Sequence, residues 1–523
     1  MGTVFTVSTA FELQRMDMAL TRDLMGGTAA MIRAGEKYIP RSRRHETEEE
    51  FQSRLNRTVL LNAYKRTVRF LRGQVFKKPV VIEDAKKDDI ITQEQLDWFK
   101  AWSEDVNLRG NNLTDWSGTV FEAGINDGVT FCLVDYSKVP TMTGDDGGLY
   151  YLDADGQYKL KTEQADRENG WRPYFVHVPA SQVIDCHVDT LNGIQVVTHF
   201  RYIEEYDVQK DEWETERRQR IRVFTPGAFQ TWENTSDGAS DFMLNEAMSG
   251  EMKDENGKPL PFVPVCIFMP GERRTACTAE PALQDLAELN KRHWQATSAQ
   301  AELMEFVRRP VWFGRQLGEN DNGDPVVFGA GTLINASSDQ ADLKSLGVDG
   351  GSVQAGRDEL HDLEGQMALY GLQLLQPDLG TSVTATEVSQ DTEESVSTLQ
   401  DWALRYQDFL ENCFAMTGKW KGWEDGPSIK VNTELTRVVN VELLAKLQQA
   451  GVMSKVTLLE LLKRAGMLPD DFDAEEELDR IEQENRTASG ASGTLDLASL
   501  LNHDRFRMKS PENGTEGQRT NEI

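Results

Sequence analysis

Positive charge is scarce in this sequence. Its 523 residues include 56 Lys and Arg against 86 Asp and Glu, which gives a formal net charge of −30 at pH 7. Proteins that grip duplex DNA neutralise its phosphates with a basic surface, so a general nucleic-acid binder is excluded. A protein that lets DNA slide past itself is compatible with this charge.

Long apolar runs and cysteine pairs are also missing. No run reaches the roughly 18 apolar residues of a membrane span, and the mean hydropathy is −0.52. Residues 1–20 lack the basic region and apolar core of a secretory signal, so we expect none. The five cysteines include no CxxC pair, which predicts neither a zinc site nor a disulfide framework and favours a reducing cytoplasm.

Catalytic motifs are absent from the sequence as well. It contains no Walker lysine loop, no HExxH, no GxSxG elbow and no strand-linked GxGxxG. His177 and His187 flank a turn without a third metal ligand at a recognisable spacing. The segment Asp153-Ala-Asp-Gly156 resembles the start of a calcium loop but lacks its closing Glu, so it predicts a hairpin turn. We expect no catalytic residue, no metal site and no cofactor.

The first half of the sequence predicts a helical segment followed by a sheet. Up to about Lys78, apolar residues recur at three- and four-residue steps through Leu55, Val59 and Phe70, on the most basic stretch of the chain. We interpret its arginines, Arg54 among them, as a solvated or interface helix face in preference to a nucleic-acid contact. From 118 to 269, apolar runs alternate with Gly- and Asp-rich turns, which predicts a largely antiparallel sheet with strands at 129–135, 174–178, 183–184, 194–202 and 220–224.

The second half is mostly helical. A helix of some 30 residues is predicted from the cap Thr278 to Arg308. Its middle is polar on nearly every face, which is typical of a helix that bridges between packed regions or packs against copies of itself. A strand-rich insertion with strands at 311–313, 326–328 and 332–334 separates it from a second helix, 352–375. Thr384 and Glu387 form a capping box for a third helix, whose apolar stripe runs to Phe414. Two or three short helices are predicted between 441 and 484, from the apolar runs 443–447 and 456–462, and the composition after 485 predicts disorder.

Several stretches of this sequence resemble one subfamily of tailed-bacteriophage portal proteins. The likeness covers most of 20–484 and is carried by these motifs: Gly26-Gly27, Gly35-Glu-Lys-Tyr-Ile-Pro40, Arg54-Leu55, Asn62-Ala-Tyr-Lys-Arg-Thr67, Gly73-Gln-Val-Phe-Lys-Lys-Pro79, Pro261-Phe-Val-Pro264, Leu286-Ala-Glu-Leu-Asn-Lys-Arg-His-Trp-Gln295 and Ser298. The resemblance implies an α+β portal fold with an α/β wing, two long stem helices, a small β-rich clip, a kinked wing helix and an α-helical crown. It assigns these parts as follows: wing 1–277, first stem helix 278–309, clip 310–351, second stem helix 352–375, tunnel loop 376–384, wing helix and return strand 385–437, crown 438–484 and disordered tail 485–523.

Three groups of residues would carry function by this resemblance. The tunnel loop facing DNA would be Gln376, Pro377, Asp378, Leu379, Gly380, Thr381, Ser382, Val383 and Thr384. The stem residues would be Asn290, Lys291, Arg292, His293 and Trp294. The clip residues that dock the terminase and adaptors would be Trp312, Phe313, Asp321, Asn322 and Phe328.

The implied activity is structural. Such subunits form a ring, usually of twelve, at the special vertex of the capsid, where double-stranded DNA passes during packaging and ejection. The implied partners are the major capsid protein and scaffold, the terminase large subunit and the tail adaptors, with no membrane. The location would be the virion, after synthesis in the bacterial cytoplasm. Another head–tail connector or minor capsid protein, or a cytoplasmic enzyme with an unrecognised site, is the alternative.

Overall fold

The computed structural model describes residues 3–41, 46–83, 91–137, 141–143, 149–153, 156–160, 165, 169–191, 193–234, 241–308, 311–315, 340, 342–346, 350–373, 397–433, 455–464, 472–473, 477 and 480. The chain divides into two units, Met1–Leu435 and Thr436–Ile523. Both helices and strands are present, and the α+β class is confirmed.

The described α-helices are α1 Thr9–Asp17, α2 Ala19–Gly26, α3 Thr28–Ala34, α4 Glu48–Arg57, α5 Ala63–Val75, α6 Gln93–Trp102, α7 Leu113–Asp127, α8 Gln284–Arg308, α9 Gly350–Gln373, α10 Thr398–Trp420 and α11 Lys455–Arg464. The described strands are β1 Val81–Ile82, β2 Thr130–Tyr136, β3 Thr141–Thr143, β4 Leu149–Leu152, β5 Tyr158–Leu160, β6 Pro173–Pro179, β7 Val183–Leu191, β8 Ile194–Gln209, β9 Thr215–Thr225, β10 Ala228–Asn234, β11 Phe242–Leu244, β12 Gly250–Glu251, β13 Val265–Phe268, β14 Val311–Arg315, β15 Asp342–Leu346 and β16 Ile429–Lys430.

The basic N-terminal stretch forms two helices instead of one periodic run. The helix α4 begins at a capping box between Thr47 and Glu50, and the cap of α5 is Asn62, whose side chain accepts a hydrogen bond from the Lys65 N–H. The chain leaves the helical conformation between them, which resets the phase of the apolar face. Val59 and Phe70 are therefore exposed, contrary to the sequence prediction, and the buried positions are Phe51, Leu55, Tyr64, Val68, Leu71 and Val75.

Arg54 also departs from the prediction of a solvated face. Its side chain is only 7% exposed, and its Nε and Nη2 donate to the two carboxylate oxygens of Glu46 at 2.8 and 2.9 Å. Its Nη1 donates to Ser298 Oγ at 3.1 Å, which links α4 to α8. Arg54 is buried because this bidentate pair and the serine satisfy its donors. Arg66 and Arg69 are exposed, as predicted.

The predicted antiparallel sheet region is confirmed and consists mainly of two sheets. One has the order β13-β2-β6, and the other has the order β11-β10-β9-β8-β7 with β12 paired to β10. All pairings in both sheets are antiparallel. The central strand β2 is buried almost throughout and is covered by α7 and α10. Two long-range hydrogen bonds fix α10 there, from Trp420 Nε1 to the Val134 carbonyl at 2.8 Å and from Tyr406 Oη to the Ser117 carbonyl at 3.0 Å.

The apolar stripe predicted for the third long helix is confirmed in α10. Leu399, Trp402, Tyr406, Phe409 and Phe414 are all buried. The helix begins at Thr398, and its N-cap is Ser397, whose hydroxyl accepts from the Gln400 N–H at 3.3 Å. The earlier start predicted at Thr384 lies outside the described residues.

In the second unit, α11 contains the helix predicted from the run 456–462. Lys463 Nζ donates to the Phe472 carbonyl at 2.7 Å within this unit. The other predicted crown helix, 443–447, lies outside the described residues. Within the described residues, none of the helices combines the length and apolar character that crossing a membrane requires.

Two ionisable groups beside β2, the half-buried His177 and the buried Asp127, give opposite pH dependences. Burial lowers the pKa of His177 from 6.5 to about 4, and its Nε2 lies 2.8 Å from Thr130 Oγ1. Burial raises the pKa of Asp127 from 3.8 to about 6, against the opposing charge of Arg22. Between pH 6.5 and 4 the unfolded chain binds the His177 proton first, so stability falls on acidification. Between pH 6 and 3.8 the folded chain binds the Asp127 proton first, so stability rises on acidification.

We expect His177→Gln to separate these two contributions. The amide retains a polar contact to Thr130 but cannot take up the proton, so the variant should gain about 3 kcal/mol relative to the parent between pH 6.5 and pH 4. Hydrogen exchange of the β2 and β6 amides, compared between the two proteins at each pH, measures this difference. Asp127→Asn, the matched control, should lose stability relative to the parent over nearly the same range. Parallel pH profiles for His177→Gln and the parent would contradict the assignment.

Candidate functional site: the long helix pair

Two long helices and a strand pair form the most distinctive part of the first unit. Arg292 of α8 contacts Glu359 of α9, whereas Gln300, further along α8, contacts Val353, which comes earlier in α9. The two helices are therefore antiparallel. Between them in sequence, β14 pairs antiparallel with β15, with Val311 opposite Leu346. The chain therefore runs out along one helix, through a strand pair, and back along the other.

The start of α8 differs from the prediction. Thr278 is not an N-cap, because its hydroxyl lies 2.7 Å from Thr275 Oγ1 in a tight turn. An isolated antiparallel β-bridge between Arg273 and Ala279 closes this turn. Gln14 Oε1 accepts from the Ala279 N–H at 3.0 Å, which ties this turn to α1. The helix begins at Gln284 instead.

The first half of α8 is part of the protein core. Three of the five predicted stem residues, Asn290, His293 and Trp294, are buried within the subunit. The polar side chains of this helix therefore do not all mark its surface. The inward stripe mixes apolar and polar residues at steps of three and four, from Leu286 and Ala287 to Ser298, which Arg54 contacts.

Asn290 shows how the fold satisfies a buried polar side chain. Its Oδ1 accepts from the Tyr64 N–H at 2.9 Å, and its Nδ2 donates to the Leu61 carbonyl at 2.9 Å. The Tyr64 N–H lies in the first turn of α5, where N–H groups have no intrahelical partner, and Leu61 directly precedes the helix cap. Asn290 thus joins α8 to the start of α5.

The other two predicted stem residues, Lys291 and Arg292, lie nearer the surface. Lys291 pairs with Glu288 on its own helix, and the 63% exposed side chain of Arg292 donates to Glu359 Oε1 at 2.9 Å. His293 Nε2 lies 3.5 Å from Glu364 Oε1, and within the described residues neither ring nitrogen has a hydrogen-bond partner. The predicted stem segment is therefore divided between the core and the surface of the helix pair.

The helix α9 buries only one narrow seam against the subunit. Of its positions 350–369, those that are buried or half-buried are Val353, Gly356, Leu360, Leu363 and Met367, and all others are exposed. The steps of three and four residues are those of a coiled-coil seam. At its centre, a side chain on Gly356 would collide with Gln300, whose Nε2 donates to the Val353 carbonyl at 3.1 Å. A larger residue at this position would therefore have to displace the end of the Gln300 side chain.

The exposed faces around this seam are acidic and partly apolar. The exposed acidic residues of α9 are Asp358, Glu359, Asp362 and Glu364, whereas its exposed basic residues are Arg357 and His361. Large apolar side chains that are exposed on the helix pair and its strand pair are Phe306, Val307, Phe313 and Leu369. A helix that leaves most of its surface open in one subunit is typical of an element covered by further neighbours.

The strand pair and the loop are only partly described. Within the predicted clip, β14 contains the predicted strand 311–313 with an exposed Phe313, and β15 was not predicted. Trp312 lies on β14, and its side chain is outside the described part of the chain. Asp321, Asn322 and Phe328, the strands predicted at 326–328 and 332–334, and the whole tunnel loop 376–384 lie outside the described residues.

The structure does not gather a set of metal ligands in the described residues, although His187 lies opposite His199 with ring centroids 5.6 Å apart. No group of three or more His, Cys, Asp or Glu side chains could hold a metal ion in the described part of the chain. His177 is held by Thr130, whereas His187 Nε2 lies 3.0 Å from Asp185 Oδ2. The five cysteines are free thiols.

Comparisons with known proteins add a local match and distant structural similarities. A family described as "Domain of unknown function (DUF4055)" matches residues 282–421, which contain α8, α9 and α10. No curated protein matches the sequence. A chain of the neck of an empty GTA particle, computed with C6 symmetry, is 13% identical at a TM-score of 0.35, covering 83% of this chain and 93% of that chain.

Two further structures are similar at the same level. A chain of the virion of a native gene transfer agent (GTA) particle is 13% identical at a TM-score of 0.34, with 83% and 93% of the two chains covered. A chain of the neck of a native GTA particle, computed with C12 symmetry, is 12% identical at a TM-score of 0.34, with 83% and 97% covered. TM-scores this low carry no argument about the fold or the function of this chain.

Proposed function

We propose that this chain is the subunit of a phage portal ring, a structural protein without catalytic activity that conducts double-stranded DNA at one capsid vertex. The observation that carries the proposal is the single seam of α9. A helix of 24 residues whose other faces are exposed and acidic gains little from one neighbour. Copies arranged head to tail around a closed ring would cover those faces repeatedly.

The order of elements supports the same proposal. A long helix, a strand pair, a returning long helix and the buried helix α10 correspond in order to the stem, clip, stem and wing helix that the sequence resemblance implies. In that arrangement the strand pair with Phe313 would project from the ring. The terminase large subunit and the tail adaptors would dock there, whereas scaffold and major capsid protein would contact the wing.

The charge of the chain suits a conduit. With a formal net charge of −30, the protein would repel DNA over most of its surface. DNA would then pass without the tight phosphate contacts that slow its movement through a basic channel. We therefore place the protein in the virion, at the portal vertex, after synthesis in the host cytoplasm.

Mass photometry and negative-stain microscopy of the full chain, with and without scaffold, test the ring. We expect closed rings with a central hole wide enough for a DNA duplex, and a particle mass near twelve subunits. A single species of 59.0 kDa at micromolar concentration under both conditions would contradict the proposal.

The tunnel loop provides a separate test of DNA conduction. Its only charge is Asp378, so we propose that its contact with DNA is steric. Deleting 378–383 should leave ring formation intact and lower the amount of DNA packaged or retained, as measured by nuclease-protected DNA in assembled heads. A shortened loop that packages normally would remove this role from the segment while leaving the ring itself in place.

A further inference from the structure

A polar cavity separate from the helix pair lies between the two main sheets. It has a volume of about 430 Å³ and is enclosed by the loop before α7, by β6, and by the facing parts of β8 and β9. Its wall includes Arg109, Asp135, Tyr174, Arg220 and Arg222. Cavities of this size lie within the range of small-molecule sites.

The arginines of this cavity differ in how they are paired. Arg222 forms part of its inner wall with a side chain only 6% exposed, and its Nη2 lies 3.3 Å from Asp135 Oδ2. Arg220 Nε donates to Glu204 Oε2 at 2.8 Å. Both carboxylates of the wall are thus engaged by arginines, and neither is free to attract a cation. In the described part of the chain, no carboxylate pairs with the exposed Arg109, so the wall carries one unmatched positive charge.

A second polar group of the wall lacks a partner. The buried Nε of Arg222 has no hydrogen-bond acceptor among the described residues. Burying a charged donor without an acceptor is costly, and such a group is often completed by a bound ion or ligand. His177 also lines the cavity, but its lowered pKa of about 4 keeps the ring neutral near pH 7. The unsatisfied donors therefore favour an anion.

The loop at the mouth of the cavity is held in a defined shape. Asp105 Oδ1 accepts from the N–H groups of Arg109 and Gly110, at 3.2 and 3.0 Å. Arg172 Nη2 donates to Asp105 Oδ2 at 2.9 Å and fixes this carboxylate. Leu108 has a φ of +59°, and no other non-glycine residue in the described part of the chain has a positive φ. Backbone strain of this kind persists where surrounding contacts over-determine it, often at binding sites.

We propose that this cavity binds a small anion bearing a carboxylate or phosphate group, with Arg109 at the mouth and Arg222 on the inner wall as its cationic partners. The residues that line this cavity are distinct from those of the helix pair. The buried Arg222 would give the anion hydrogen bonds away from bulk water, and Arg109 would supply the charge that the wall leaves unmatched.

Isothermal titration of the full chain at constant ionic strength tests this site with two probes, inorganic phosphate and citrate. We expect saturable binding of at least one, and the stronger of the two identifies the preferred group. Arg109→Gln should weaken that binding roughly tenfold or more, because a charge-assisted hydrogen bond is lost. Arg109 is exposed on a loop, so the variant should fold normally.

Arg217→Gln is the matched control. Arg217 lies on β9 like Arg220 and Arg222, is 67% exposed and pairs with Asp207 at 3.3 Å, outside the cavity wall. The same change of charge there should leave the binding constant within twofold. The proposal is overturned if neither probe saturates, if Arg109→Gln binds as the parent does, or if Arg217→Gln weakens binding equally.

Discussion

Arg54→Met should lower the free energy of unfolding by about 3–5 kcal/mol, because it leaves the buried Glu46 carboxylate without its cation. The Glu46 side chain is only 3% exposed, and Arg54 holds it with two donors while a third reaches Ser298 on α8. Urea unfolding followed by tryptophan fluorescence, at one protein concentration, measures the loss. The double variant Arg54→Met with Glu46→Leu should recover most of it, because the uncompensated charge is then removed as well.

Arg57→Met provides the control for this prediction. Arg57 lies one turn further along α4 and pairs with Glu305 of α8, but both side chains are substantially exposed. Exposed pairs contribute about 0–1 kcal/mol, so this variant should unfold close to the parent. Equal losses for Arg54→Met and Arg57→Met would show that burial of the first pair has been misjudged.

Trp294→Ala should destabilise the subunit by about 3–5 kcal/mol, the usual cost of emptying a buried aromatic site. Trp294 belongs to the first half of α8, and its side chain is fully buried. The loss should be visible as lower soluble yield and a lower urea midpoint of the isolated subunit, before any assembly step. Arg292→Ala, on the exposed side of the same turn, should change the free energy of unfolding by less than about 1 kcal/mol.

The comparison of these two variants separates a core residue from a surface residue of the same predicted segment. If Trp294→Ala folded like the parent and failed only in assembly, the tryptophan would act between subunits, as the sequence alone suggested. The structure instead assigns it to the interior of one subunit.

The sheets and α10 were predictable because local patterns determine them. Apolar runs separated by Gly- and Asp-rich turns indicated β2 and β6 to β9. The apolar stripe from Leu399 to Phe414 has the period of one buried helix face. In both cases the residues that face the core are apolar. The spacing of apolar residues along the sequence is then sufficient to predict the element and its buried face.

The burial of α8 was not predictable, because its inward stripe mixes apolar residues with the polar Asn290, His293 and Ser298. The buried Asn290 side chain is satisfied by backbone groups of Tyr64 and Leu61, more than 220 residues earlier. Arg54 is likewise buried through Ser298, 244 residues away. No local signal distinguishes these side chains from solvated ones. The cavity around Arg222 depends on tertiary contacts in the same way.

Cryo-electron microscopy of the assembled protein, at a resolution that shows side chains, tests the ring proposal most directly. We expect a closed ring in which neighbouring copies cover the exposed faces of α9, including Asp358 and Leu369, while Asn290 and Trp294 keep their contacts within one subunit. An assembly in which those faces of α9 remain open to solvent, or particles that consist of one subunit only, would contradict the proposal.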